Sequence, residues 1–163
     1  KEPESEWHVQ VAKGRDSAKF VREFYKEHFG IDLHFGVHRL PAHQLGQPEY
    51  YQPLYIDYIH RQQAQPFFVY FMHDVERFGP GYLGEALTGP NAIQGDVKGG
   101  FCIISGAHQH YSAILRHELG HTLMGSAHQE GTFMAAGLDP NNTTVTPSQR
   151  EAARETAALY GWS

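Results

Sequence analysis

One cysteine, Cys102, stands in the whole chain, so no internal disulfide can form. No apolar run approaches the length of a membrane span, and residues 1–20 do not read as a signal peptide. Strong charge of either sign is missing too. The 13 basic and 18 acidic residues give a formal net charge of −5, with a pI near 6.2. That balance supplies no electrostatic reason to expect nucleic acid or an anionic membrane as a partner. Internal repeats, low-complexity tracts and linkers rich enough to divide the chain are absent as well. What remains is 163 residues, 40% of them hydrophobic, enough for a single domain with a real core. The charged start, Lys1-Glu2-Pro3-Glu4, reads as a trimmed mature end or an artificial boundary, and leaves secretion open.

Histidine, by contrast, is abundant at 12 residues, and three of them fall in one informative segment. His117-Glu118-Leu119-Gly120-His121 places two histidines four apart, with a glutamate directly after the first. On an α-helix a four-residue step returns to nearly the same face, so both imidazoles can meet one ion. Glu118, rotated by about 100° from His117, can lie beside that ion and polarise a water without ligating. Ile114, Leu115, Leu119 and Leu123 supply apolar positions at helical spacing around the motif, Ser112 is a candidate cap and Gly125 a candidate stop. His128 is a further candidate ligand. An unbroken helix would carry it about 10 Å beyond His121, so it can join them only if the chain turns at Gly125, which accepts a left-handed backbone cheaply.

The rest of the chain gives a coarse order of elements. Trp7 to Val11 alternates as a strand would, and Ser17 to Phe29 carries Phe20, Val21, Phe24, Tyr25 and Phe29 at helical spacing before the stop at Gly30. Ile31 to Leu40 alternates again as a second strand, and Glu49 to Gln65 fits a helix moderately. Phe67 to Met72 is continuously apolar, as in a strand buried on both faces. Gly79 to Gly100 reads as a long loop region, Phe101 to Ser105 as a short strand, and Pro147 to Tyr160 as a final helix capped by Thr146.

The motif from His117 to His128, followed by Met134 in Gly131-Thr132-Phe133-Met134-Ala135-Ala136-Gly137, resembles the metzincin clan of zinc endopeptidases. Their signature is HExxHxxGxxH with a methionine-bearing turn beneath the metal. Here the glycine and third histidine both stand one residue later, giving HExxHxxxGxxH, so no subfamily is assigned. The resemblance is specific over residues 111–137. It implies an α+β, metzincin-like catalytic domain over 1–163. A twisted mixed sheet with backing and active-site helices would form an upper subdomain (about 1–125), and the Met-turn and last helix a small lower one (about 126–163).

It also implies one catalytic zinc ion on His117, His121 and His128, with Glu118 as general base and Met134 as the Met-turn residue. Gly100, Phe101, Cys102, Ile103 and Ile104 would be an exposed sheet edge that binds a peptide or protein substrate as an added strand. Ala135 to Val145 would wall the pocket for the side chain after the cut. A monomer in a secreted or extracytoplasmic setting is expected on the same ground. Asp96-Val97-Lys98-Gly99-Gly100 bears a weak likeness to a calcium loop, for which a plain turn is the simpler reading. Alanine at 135 disfavours a variant with aspartate there, and Asn141 and Asn142 each begin an N-x-Thr sequon.

Two rivals use the same residues differently. A peptide-deformylase-like zinc hydrolase would take Cys102 as a ligand, leaving His128 and Met134 without roles. A non-catalytic, zinc-stabilised binding module would hold the ion and cut nothing. Cys102 otherwise reads as a small hydrophobe packed in a sheet, and His108 and His110 as polar loop residues.

Overall fold

The computed structural model describes residues 4–35, 67–72, 84–86, 93–94, 97–98, 100–105, 108–125 and 127–160. In chain order they form α1 (Glu4–Phe29), β1 (Phe67–Met72), β2 (Gly84–Ala86), β3 (Ile93–Gln94), β4 (Val97–Lys98), β5 (Gly100–Ser105), α2 (Tyr111–Met124) and α3 (Pro147–Tyr160).

The expected α+β, metzincin-like architecture needs correction, because the described residues are dominated by helix. Residues 7–11 do not form a first strand. They belong to α1, a helix of 26 residues that begins well before Ser17. Trp7 and Val11 are four apart, a spacing that serves a helix as well as alternation serves a strand, and the longer helical period downstream prevails. Residues 31–35 are irregular rather than extended in a sheet, and 36–40 lie outside the described residues. So does the helix expected over Glu49 to Gln65.

The strands that do form are short. β1 pairs in parallel with β5, which also pairs antiparallel with β2, giving the order β1-β5-β2, while β3 and β4 make a two-stranded ribbon. Three of these strands therefore fall in the stretch read as a loop from Gly79 to Gly100. β5 is also corrected: Gly100, Phe101, Cys102, Ile103 and Ile104 are not an exposed edge, since β1 covers one side and β2 pairs with Cys102, Ile103 and Ile104 on the other. Apolar content alone does not tell a central strand from an edge.

The helices carry the core. α2 packs against α1, α3, β5 and β2. Val21, Phe24, Tyr25, Phe29, Ile114, Leu115, Leu119, Leu123, Phe133, Met134, Ala153 and Ala157 form one buried cluster with Cys102 and Ile104. Each large apolar side chain buried here contributes about 1.5–3 kcal/mol. The cluster draws on residues either side of position 125, so the two expected subdomains share a core. α1 stops at Gly30, whose φ of 68° suits glycine and whose N–H donates to Lys26 O at 3.1 Å. At α3 the expected cap is present and reciprocal. Gln149 N–H donates to Thr146 Oγ1 at 3.2 Å, and Thr146 N–H to Gln149 Oε1 at 2.9 Å. No described helix is long and apolar enough to cross a membrane.

Candidate metal centre

Helix α2 presents His117 and His121 on one face, as the four-residue spacing requires. Their Nε2 atoms stand 3.0 Å apart. The helix ends at Met124, and Gly125 takes φ 92° and ψ −175°, an extended mirror-image conformation open in practice only to glycine. Its N–H donates to His121 O at 2.9 Å, closing the helix before the chain leaves in a new direction. His128 is thereby brought back to the other two histidines, its ring centroid 5.3 Å from that of His117 and 5.0 Å from that of His121. One ring nitrogen from each of the three lies within 4.8 Å of the others, close enough to hold a metal ion.

The donor chemistry fits a cation. Nδ1 of His121 is 2.9 Å from Gly125 O and Nδ1 of His117 is 3.4 Å from Phe133 O. A carbonyl can only accept, so these contacts place the protons on Nδ1 and leave both Nε2 lone pairs facing each other across 3.0 Å. That opposition is repulsive unless a cation lies between them. Tetrahedral bonds of 2.0–2.1 Å separate ligand nitrogens by about 3.3 Å. The helix pair is already near that separation. His117 is also kept neutral: burial, reinforced by the neighbouring His121 and partly opposed by the Phe133 carbonyl, lowers its pKa to about 4.

Glu118, half-buried, follows His117 on α2. Its charge reaches Cys102 on β5, where burial first and Glu118 second push the thiol well above its usual pKa. Cys102 is fully buried and, among the described residues, stands outside the metal-binding group. His108 and His110 stand outside it too. His110 donates its N–H to His108 Nδ1 at 3.0 Å and occupies the N-cap of α2 without a side-chain cap. Ser112 is not the expected cap. It lies within the helix, and its hydroxyl donates to Ser17 Oγ at 3.4 Å.

Met134 is 1% exposed and lies in a turn of the chain, its side chain packed against Gly120 of α2. Gln129 N–H donates to Met134 O at 3.0 Å, which ties the residue after His128 to that turn. Three supporting residues escaped the sequence reading. Gly120 has no β-carbon where Met134 Sδ packs. Thr132 Oγ1 accepts from Met134 N at 3.1 Å and from Gln149 Nε2 at 3.0 Å, joining the turn to the cap of α3. The Thr146-x-x-Gln149 spacing was a legible sign of that cap. Arg116 is the third, a buried guanidinium on the helix face of Leu119 and Leu123. An arginine set among apolar residues at helical spacing is the sign that marks it.

Asp96 and Gly99 of the weak calcium likeness lie outside the described residues, and Val97 and Lys98 form β4. Of the two sequon asparagines, Asn141 is exposed and Asn142 half-buried. No known protein family, curated protein or solved structure matches the chain.

Proposed function

We propose that the chain is a zinc-dependent endopeptidase. One observation carries the reading: three imidazoles bring a ring nitrogen each within 4.8 Å of one another while a glutamate follows the first of them on the same helix. Three nitrogen ligands suit zinc and leave a fourth position open, the arrangement of catalytic rather than structural sites. When bound, the ion supplies a Lewis acid that acidifies water and polarises a carbonyl. Glu118 accepts the proton of the attacking water and returns it to the leaving amine. His117 and His121 are held in one tautomer by Phe133 O and Gly125 O, which fixes the direction of both lone pairs.

An extended peptide finds its main-chain partners at β2 rather than β5. Among the described residues β2 pairs only with β5, which leaves its other edge for a peptide strand, and both strands pack against α2, the helix that carries the histidines. The deformylase-like alternative has less support, because Cys102 is buried, protonated and apart from the three histidines.

The test compares the zinc-loaded chain with Glu118→Ala on denatured protein, fragments being read by mass spectrometry. Cleavage by the first and not the second, at equal zinc content, is the expected result. Cleavage by neither supports the binding module, and turnover of formyl-peptides alone supports the deformylase.

A further inference from the structure

Arg116 immediately precedes the first histidine of the site and is 1% exposed. A guanidinium so deep is costly unless paired with an acid; the Asp139 carboxylate acts on it through space, while its only hydrogen bond among the described residues runs from Nη2 to the main-chain oxygen of Asp139, at 3.2 Å. Nε and Nη1 have no acceptor among those residues. Instead the guanidinium carbon lies 5.6 Å from the Phe20 ring centroid, 5.1 Å from Phe24 and 5.9 Å from Phe133. Its own carbonyl accepts from the buried Tyr25 hydroxyl at 2.7 Å, which fixes the start of the side chain against α1.

Asp139 lies midway along the segment that leaves the Met-turn. The base of that segment is tied where Phe133 N–H donates to Thr144 O at 3.1 Å. Asn142 N–H meets the same Asp139 oxygen at 3.2 Å, so Arg116 holds the carbonyl around which the turn at 139–142 is built. A methionine would fill the aromatic cage without a buried charge. It could not hold that carbonyl.

We propose that Arg116 is a positioning residue that fixes the segment Ala135 to Val145 against the helix carrying His117, and so shapes the pocket that the endopeptidase reading expects this segment to wall. The pocket's role in choosing the residue after the cut rests on the endopeptidase reading. The positioning itself does not.

The experiment uses the full zinc-loaded chain and two variants, Arg116→Met and Arg116→Lys. Hydrogen–deuterium exchange reads the segment directly. In R116M the amides of Asn141 and Asn142 lose protection by about tenfold or more, the change expected for one lost hydrogen bond to a charged group. Amides in α1 and α2, zinc content and melting temperature stay as they were. On a peptide library KM rises and selectivity after the cut broadens while kcat changes little. R116K, which keeps a charged donor, regains part of the protection. Unchanged exchange over 139–142 in R116M overturns the proposal. Exchange raised equally through α1 and α2 also overturns it, because Arg116 is then a support of the whole core. If the unaltered chain cleaves nothing, the endopeptidase reading fails, and the exchange data alone decide the role of Arg116.

Discussion

Met134 Sδ occupies the space that a β-carbon on Gly120 would need, and Met134 and Met124 methyl carbons crowd the same point at 3.2 and 3.1 Å. The glycine inside the histidine motif is thus the seat of the methionine turn beneath it. Gly120→Ala gains helix propensity of about 1 kcal/mol, but overpacking a filled core costs about 1–3 kcal/mol. The net expectation is a destabilised chain by chemical denaturation. Adding Met134→Ala removes the overlap, so the double variant should lose less than the sum of the two singles.

Gly125 is different, because nothing lies within 4 Å of an added β-carbon there. Its constraint is the backbone alone, at φ 92°. Gly125→Ala is expected to cost about 1–3 kcal/mol of strain. It should also weaken metal binding by displacing His128, whereas Gly14→Ala, in open space within α1, should stabilise the chain. Metal titration by calorimetry on both variants checks the contrast.

His117 gives the metal-free chain a defined pH response. Its folded pKa of about 4 lies below the ordinary 6.5. Above 6.5 the ring is neutral whether folded or unfolded and adds no slope. As pH falls from 6.5 to 4 the unfolded chain gains a proton that the folded chain refuses, so stability declines. Below that window both forms are protonated and the loss levels off. Urea unfolding of the metal-free chain across the window should show the decline, with a shallower one in His117→Gln.

Cys102 should be inert. Burial holds its thiol protonated, so the native chain is expected to resist an aromatic disulfide reagent at neutral pH and to react only once unfolded. Cys102→Ala should bind zinc as the unaltered chain does, at a stability cost typical of a small buried side chain. A loss of zinc affinity beyond about tenfold would favour the deformylase-like ligand set.

The gathering of His117, His121 and His128 was far more legible than the fold. A four-residue histidine spacing and a glycine before His128 are local features, and local geometry decides whether they converge. The last helix was legible for the same reason, since Thr146 and Pro147 announce its start. Residues 7–11 misled because five alternating residues are compatible with either period, and the winner is settled by the rest of α1. The central place of β5 and the cage around Arg116 depend on partners far away in sequence: Phe67 opposite Gly100, Phe20 and Phe24 against Arg116. No single stretch of the chain encodes those pairings.

X-ray absorption at the zinc edge of the loaded chain tests the metal centre most directly. Three imidazole nitrogens and one further light atom at about 2.0–2.1 Å are predicted, with one imidazole lost in His128→Ala. A sulfur neighbour at about 2.3 Å, or an unchanged shell in His128→Ala, would contradict it.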